Sequence, residues 1–469
     1  MKMGVCHGRT DLRLLARPEP RPARMPARPV VRRPGEDKYH HLGAAPGRHL
    51  RHITREHGWH RPDRSGHDTK GGELATSDSA PLTAARLTAA ERRARLAEAA
   101  ARRFQSFGYH GVGLADVAAD TGVTAPAVYR HFRNKQALLA GAIGQGLDQV
   151  EATIARTTDQ SLERLVAAVA DLVLDRPYLW TLLQRETRFL GPDLHAEVQR
   201  QFDRVIDEFA RRLRRRRPRL APKNARLLVT AATSALAGPS LPRSAPRSLI
   251  ETELAGAAMT ILLMPMPVGK QDGRPPRAAS TAQTDSRRGE LLDAAIELFF
   301  RRGYAAVSID DIGASIGITG PSIYHHFPTK AEILVAAFDR ATERLAEEHS
   351  ERAGRHDRSL AGLVGTYTDF CLRNRQLVGI YVSEAINLPP HSQREIKAAL
   401  RSRVTDWTTA LVSEHPEVDQ RTARIRAHIA LTVIDDLARL GHFHARPAIS
   451  AEIRAVAVAV LAGRRPASH

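Results

Sequence analysis

Residues 307–330 read VSIDDIGASIGITGPSIYHHFPTK, and residues 112–135 read VGLADVAADTGVTAPAVYRHFRNK. The two stretches align without a gap, Val307 falling on Val112 at an offset of 195. Across that offset Phe104 meets Phe299, Gly108 meets Gly303 and Tyr109 meets Tyr304. Gly122, Thr124, Pro126, Tyr129, His131, Phe132 and Lys135 likewise meet Gly317, Thr319, Pro321, Tyr324, His326, Phe327 and Lys330. Matches at that density mark an internal repeat.

Each copy has the grammar of two short helices and a tight turn. In the second, Ser308 and Asp311 stand at capping-box spacing and open a helix whose apolar face is Ile309, Ile312 and Ile316. Gly317 ends it, because a residue without a Cβ takes the left-handed conformation the turn needs. Thr319 is the expected N-cap of the next helix, with Pro321 in its first turn, where the missing N–H is no loss. Such a pair is a helix-turn-helix, and its second helix is the one that enters the DNA major groove.

The stretch around "VYRHFRNK" and "IYHHFPTK" resembles the N-terminal DNA-binding domain of the TetR/AcrR family of one-component bacterial transcription regulators. Both copies keep the family's run of a short helix ending in glycine, a hydroxyl residue, an aromatic, any residue, His-Phe and a lysine soon after. They depart from it at Pro126 and Pro321, where many members carry glycine. The resemblance covers about 50 residues per copy and implies DNA contact by Thr124, Ala125, Pro126, Ala127, Tyr129, Arg130, His131 and Lys135. In the second copy it implies contact by Ser308, Thr319, Gly320, Pro321, Ser322, Tyr324, His325, His326 and Lys330. The two tyrosines alone could equally be core aromatics.

The rest of the chain reads as all-α. Residues 1–84 are rich in Arg, Pro, His and Gly without apolar periodicity, and are expected to be a disordered basic tail, or a segment upstream of the true start. Its histidines, His40 to His67, lack ligand spacing for a metal. Residues 85–137 form the first DNA-binding domain and 138–266 a first helical regulatory domain. A Gly-, Pro- and Ser-bearing linker at 267–285 leads to a second DNA-binding domain at 286–332 and a second helical domain at 333–465. The bodies echo each other as well: LLQRETRFL at 182–190 answers IYVSEAINL at 380–388, now at an offset of 198, which pairs Glu186 with Glu384.

A net charge of +19 calls for a polyanionic partner, and the helix-turn-helix makes that partner a double-stranded DNA operator. Two cysteines, Cys6 and Cys371, build neither a disulfide framework nor a zinc site, as in a reducing cytoplasm. No apolar run reaches the roughly 18 residues of a membrane span. Paired carboxylates, a nucleophile elbow, a phosphate loop and a metal cluster are all missing from the pattern, so the reading is not an enzyme and needs no cofactor.

The expectation is a ligand-responsive repressor with two heads per chain; the alternative is an architectural, nucleoid-type protein with little sequence preference and no effector. By the resemblance, Trp180, Glu186 and Phe189 in the first body and Tyr381, Glu384 and Trp407 in the second line sites for a small-molecule effector. Core packing, or pairing of Glu186 with Arg185 or Arg188, explains them as well. The resemblance also implies pairing through the last two helices of each body, within one chain as a pseudo-dimer or between chains as a homodimer.

Overall fold

The structure, a computed structural model, describes residues 87–238, 245–266, 287–318, 320–353 and 359–463. The tail, the 267–285 linker and Thr319 lie outside the described residues, and so do the expectations that fall on them. Among the described residues the secondary structure is helical, with no strand. The first repeat comprises α1 (Ala89–Phe107), α2 (Leu114–Thr121), α3 (Ala125–Tyr129), α4 (Lys135–Arg156), α5 (Leu162–Asp175), α6 (Tyr178–Arg185), α7 (Pro192–Arg216), α8 (Pro222–Ala237) and α9 (Arg247–Leu263). The second follows the same plan: α10 (Arg287–Arg302), α11 (Ile309–Ser315), α12 (Gly320–Tyr324), α13 (Lys330–Ala353), α14 (Leu360–Arg373), α15 (Arg375–Glu384), α16 (Pro390–Glu414), α17 (Gln420–Arg439) and α18 (Ile449–Ala462).

Local chemistry sets the boundaries in both copies. Thr88 and Glu91 close a reciprocal capping box at the start of α1, and Ser308 and Asp311 do the same for α11. Asn134 caps α4 through the N–H of Ala137 at 2.8 Å, while Thr329 serves α13 through Glu332 at 3.2 Å. Ser161 and Ser359 cap α5 and α14 at the 198 offset. Pro192 and Pro390 occupy the first turns of α7 and α16.

The arginine-rich end of α7 is structural. Arg212 is buried and donates to the carbonyl of Thr157 at 2.8 Å and to that of Ile154, satisfying the C-terminus of α4. Arg217 donates to the carbonyl of Leu262 at 2.7 Å, at the end of α9.

The apolar periodicity of 178–189 and of 378–387 reads as one helix each, and both are broken. The stretch 178–189 stops as an α-helix at Arg185 and continues as a 3-10 turn, Thr187–Phe189; its counterpart stops at Glu384 and turns through Ala385–Asn387. The break brings a buried glutamate to each turn.

Helices α8, α9, α17 and α18 pack together inside the one chain, so each repeat covers the apolar face of the other. Helix α8 is buried on nearly every side, with Leu227, Leu228, Ala231 and Ala235 fully enclosed, and α17 matches it with Ile425, Ile429, Val433 and Leu437. Polar contacts clamp the rim: Arg446 Nη2 donates to Asn224 Oδ1 at 2.8 Å and Arg426 Nε to Glu253 Oε2 at 2.7 Å. Deeper in, Gln184 Nε2 donates to Asp436 Oδ1 at 2.5 Å.

Candidate nucleic-acid interface

Each reader helix is five residues long and is held by one branched residue. Val128 and Ile323 are fully buried in their heads, beside Phe132 and Phe327. One position later the chain turns its aromatic outward: Tyr129 is 55 % exposed and Tyr324 53 %. An aromatic that large and that uncovered, directly beside a full core, is not a packing residue; core aromatics bury most of their surface.

Around Tyr129 the structure places Thr124, Pro126 and Arg130 on the surface, with Ala125, Ala127 and His131 half-buried. Thr124 holds the N-cap position with extended backbone but makes no cap hydrogen bond through its hydroxyl. Around Tyr324, Ser322 and His325 are exposed and His326 is half-buried, and Gly320 and Pro321 form the first turn of α12. Ser308 is exposed at the head of α11, its hydroxyl engaged with Asp311.

The two heads differ in charge. Arg130 and Arg133 of the first stand where the second has His325 and Pro328, so the first presents two more fixed cations beside its reader.

Lys135 and Lys330 point inward. Lys330 Nζ donates to the carbonyls of Tyr304 at 3.0 Å and Val307 at 2.8 Å, and lies 4.3 Å from the Tyr304 ring centroid. Lys135 repeats this over Tyr109 at 4.5 Å, with His110 O at 3.5 Å. Desolvation lowers both ammonium pKa values from the ordinary lysine range. In this state they clamp the turn between the first and second helices of each head rather than reaching outward to phosphate.

Sequence reasoning missed a second clamp. Arg93 donates to the carbonyl of His131 and stacks 4.1 Å over the Phe132 ring, and Arg288 does the same to His326 and Phe327 at 4.0 Å. Both arginines sit at the 195 offset, which is the signal that could have found them.

The heads meet the bodies at one junction. Gly108 and Gly303, at φ +71° and +81°, turn the chain out of α1 and α10. A Cβ on Gly108 would face Glu186 and Ile386, and one on Gly303 would lie 3.1 Å from Phe189 and 3.3 Å from Arg188. Each head therefore touches the 3-10 turn of the opposite repeat. Glu186, 1 % exposed, accepts from the Tyr109 N–H at 3.1 Å and pairs with Arg185 at 2.6 Å. Phe189 stacks on Tyr109 with centroids 5.1 Å apart. Arg188 crosses to the second repeat, pairing with Glu384 and donating to Ser383 Oγ at 2.9 Å.

Of the six effector candidates, Trp180 and Tyr381 each line a cavity. Trp180 lines one in the first body with Leu147, Val169, Leu183, Phe202 and Val205, and Tyr381 lines one in the second with Leu345, Tyr367, Val378 and Arg403. Glu186, Phe189 and Glu384 are spent at the junction instead, because their carboxylates and ring already have protein partners. Trp407 is wholly enclosed, edge-on to Tyr367 at 5.9 Å.

Two outward helix-turn-helix heads, mounted on helical bodies that pair within one chain, define a two-headed DNA-binding transcriptional regulator. Residues 96–142 and 291–337 each match the family model of the tetR family of bacterial regulatory proteins. Among curated proteins the chain is similar to the HTH-type transcriptional activator FasR of Mycolicibacterium smegmatis, 28 % identical over 174 residues, or 36 % of this chain and 79 % of FasR. It is 34 % identical over 122 residues to the HTH-type transcriptional repressor KstR2 of Rhodococcus jostii, spanning 24 % of this chain and 57 % of KstR2. A solved tetR-family regulatory protein from Rhodococcus RHA1 matches 38 % of this chain and 97 % of its own, at 24 % identity and a TM-score of 0.31. Among the described residues no helix is long and apolar enough to cross a membrane, and no three His, Cys, Asp or Glu side chains group to hold a metal ion.

Proposed function

We propose that the chain is a ligand-responsive repressor that works as an intramolecular pseudo-dimer in the cytoplasm and has no catalytic role. The observation that carries this reading is the pair of exposed tyrosines on short helices, each seated on its own enclosed core. The internal four-helix pairing supports a monomer that holds two heads, and the name of KstR2 supports repression.

The reading set is Thr124, Ala125, Pro126, Ala127, Tyr129, Arg130 and His131 in one head and Ser308, Thr319, Gly320, Pro321, Ser322, Tyr324, His325 and His326 in the other. Lys135 and Lys330 we assign to holding the turn behind it. Since Ala127 and Arg130 answer Ser322 and His325, the operator has two unlike half-sites, one helical turn or a little more apart. Effector binding in the bodies moves the 3-10 turns on which the heads rest, favouring a spacing that misfits the operator. A few kcal/mol of differential binding suffices.

DNA selection with the purified protein, repeated with Tyr129→Ala and Tyr324→Ala, tests this. Both side chains are exposed, so the fold survives their loss. Each change should erase the preference for one half-site; if neither weakens binding, the interface is elsewhere. An architectural protein would instead bind operator and random DNA alike.

A further inference from the structure

The two body cavities are copies of one another that have diverged in chemistry. At the 198 offset Val169 corresponds to Tyr367, Val173 to Cys371, Leu183 to Tyr381, Val205 to Arg403 and Ala237 to Asp435. All five members of the first set line the first cavity. In the second, Tyr367, Tyr381 and Arg403 line the wall, with Cys371 and Asp435 directly behind Tyr367. Five apolar positions in one copy are thus five polar or ionisable ones in the other, at or directly behind the cavity wall.

Arg403 is the group that this set leaves incomplete. Its Nη1 donates to Tyr367 Oη at 3.3 Å and its guanidinium lies 4.7 Å over the same ring. No carboxylate among the described residues pairs with it. Asp435 acts on it across Tyr367, which donates to Asp435 Oδ1 at 2.7 Å. The charged and titratable groups facing Arg403 are Asp435 from α17, Tyr367 and Cys371 from α14, and Tyr381 from α15. A guanidinium with open N–H groups at an apolar wall of Leu345, Phe370 and Val378 fits a planar anion on a hydrocarbon body.

We propose that the second cavity binds a small organic acid, its carboxylate held by Arg403, while the first, whose lining arginine Arg176 is already paired with Glu98 at 3.1 Å, takes uncharged apolar molecules. This rests on the reading of the bodies as effector domains. The cavity is only about 30 Å³ in this state, so an acid must widen it. Widening displaces α15, which contributes Leu377 and Val378 to the cavity and Leu377 and Ile380 to the core of the second head. Acid binding therefore acts first on that head.

The test is calorimetric titration of the full chain, free of DNA, with hexanoate against hexanamide and benzoate against benzamide. Each acid should bind one site per chain at least tenfold more tightly than its amide. Arg403→Met should abolish that preference while leaving amide binding in place, and Arg403→Lys should keep part of it. Circular dichroism of both variants separates loss of the site from loss of the fold. Equal binding of acid and amide, a preference that survives in Arg403→Met, or no saturable acid binding at all overturns the proposal. Operator binding by the same preparation is measured separately, so failure here leaves the DNA-binding reading standing.

Discussion

Replacing Arg188 by methionine removes the cation that one repeat lends to the other. Glu384 is 1 % exposed and would keep only the Ser383 hydroxyl and the Asn387 amide, the latter at 2.7 Å. Breaking a buried ion pair by removing one partner costs about 3–5 kcal/mol, because a charge stays in low dielectric without its counterpart. The Arg188 side chain is itself 19 % exposed, and water admitted there places the expectation at the lower end, about 3 kcal/mol. Glu384→Gln should cost less, since the amide still accepts from Arg188. In Arg188→Met/Glu384→Gln both charges are gone, and about 2 kcal/mol should return relative to Arg188→Met. Denaturant unfolding of the four proteins gives the coupling. Gel-shift titration then reads the functional side: binding to one isolated half-site should be unchanged in Arg188→Met, while binding to both at fixed spacing weakens. Losses that simply add, within about 0.5 kcal/mol, would refute the claim that this pair ties the repeats together.

Three further outcomes follow from the charges. Arg130→Ala and Arg133→Ala should each lower the salt dependence of binding by about one phosphate contact for the half-site read by the first head and leave the other half-site unchanged, measured as the slope of log affinity against log salt. Burial pushes the Asp435 carboxyl up to about 6, so its contribution is complete below the ordinary carboxylate value and is lost as pH rises through 6. Asp435→Asn should then raise the Tm near pH 8 and leave it unchanged near pH 4. Burial also pushes His428 down to about 4, with the opposite sign: its contribution is present above about 6.5 and lost as pH falls through 4, and His428→Gln should flatten the acid limb.

The heads were legible because their constraints are local. A capping box, a glycine at positive φ and a proline in a first turn each act within four residues, so Ser308, Gly317 and Pro126 could be read in place. Helix positions in the bodies followed from apolar periodicity for the same reason. What escaped notice depends on distance. The 178–189 helix looked continuous because the reason it breaks, a backbone N–H at Tyr109 seeking the Glu186 carboxylate, lies 77 residues away. The aromatic and acidic residues of that break resembled cavity lining because local pattern cannot separate a side chain facing an empty space from one facing another helix. The run 211–219 reads from sequence as the cationic end of a helix or a nucleic-acid patch and Arg93 carries no local signal, yet Arg93, Arg212 and Arg217 each satisfy carbonyls on a distant segment. The divergence of the cavities was already in the alignment at the 198 offset, but nothing short of the packed bodies says that those five positions share one wall.

The packing of α8, α9, α17 and α18 within one polypeptide has a consequence for inheritance. A regulator built from identical subunits receives every missense change twice, and its alleles mix when two versions are expressed together. On the proposed pseudo-dimer a substitution alters one half only, no mixed assemblies arise from exchange, and occupancy of paired half-sites does not fall off with the square of cellular abundance. On that reading each half is free to drift toward its own ligand and its own bases while the other keeps the chain on DNA.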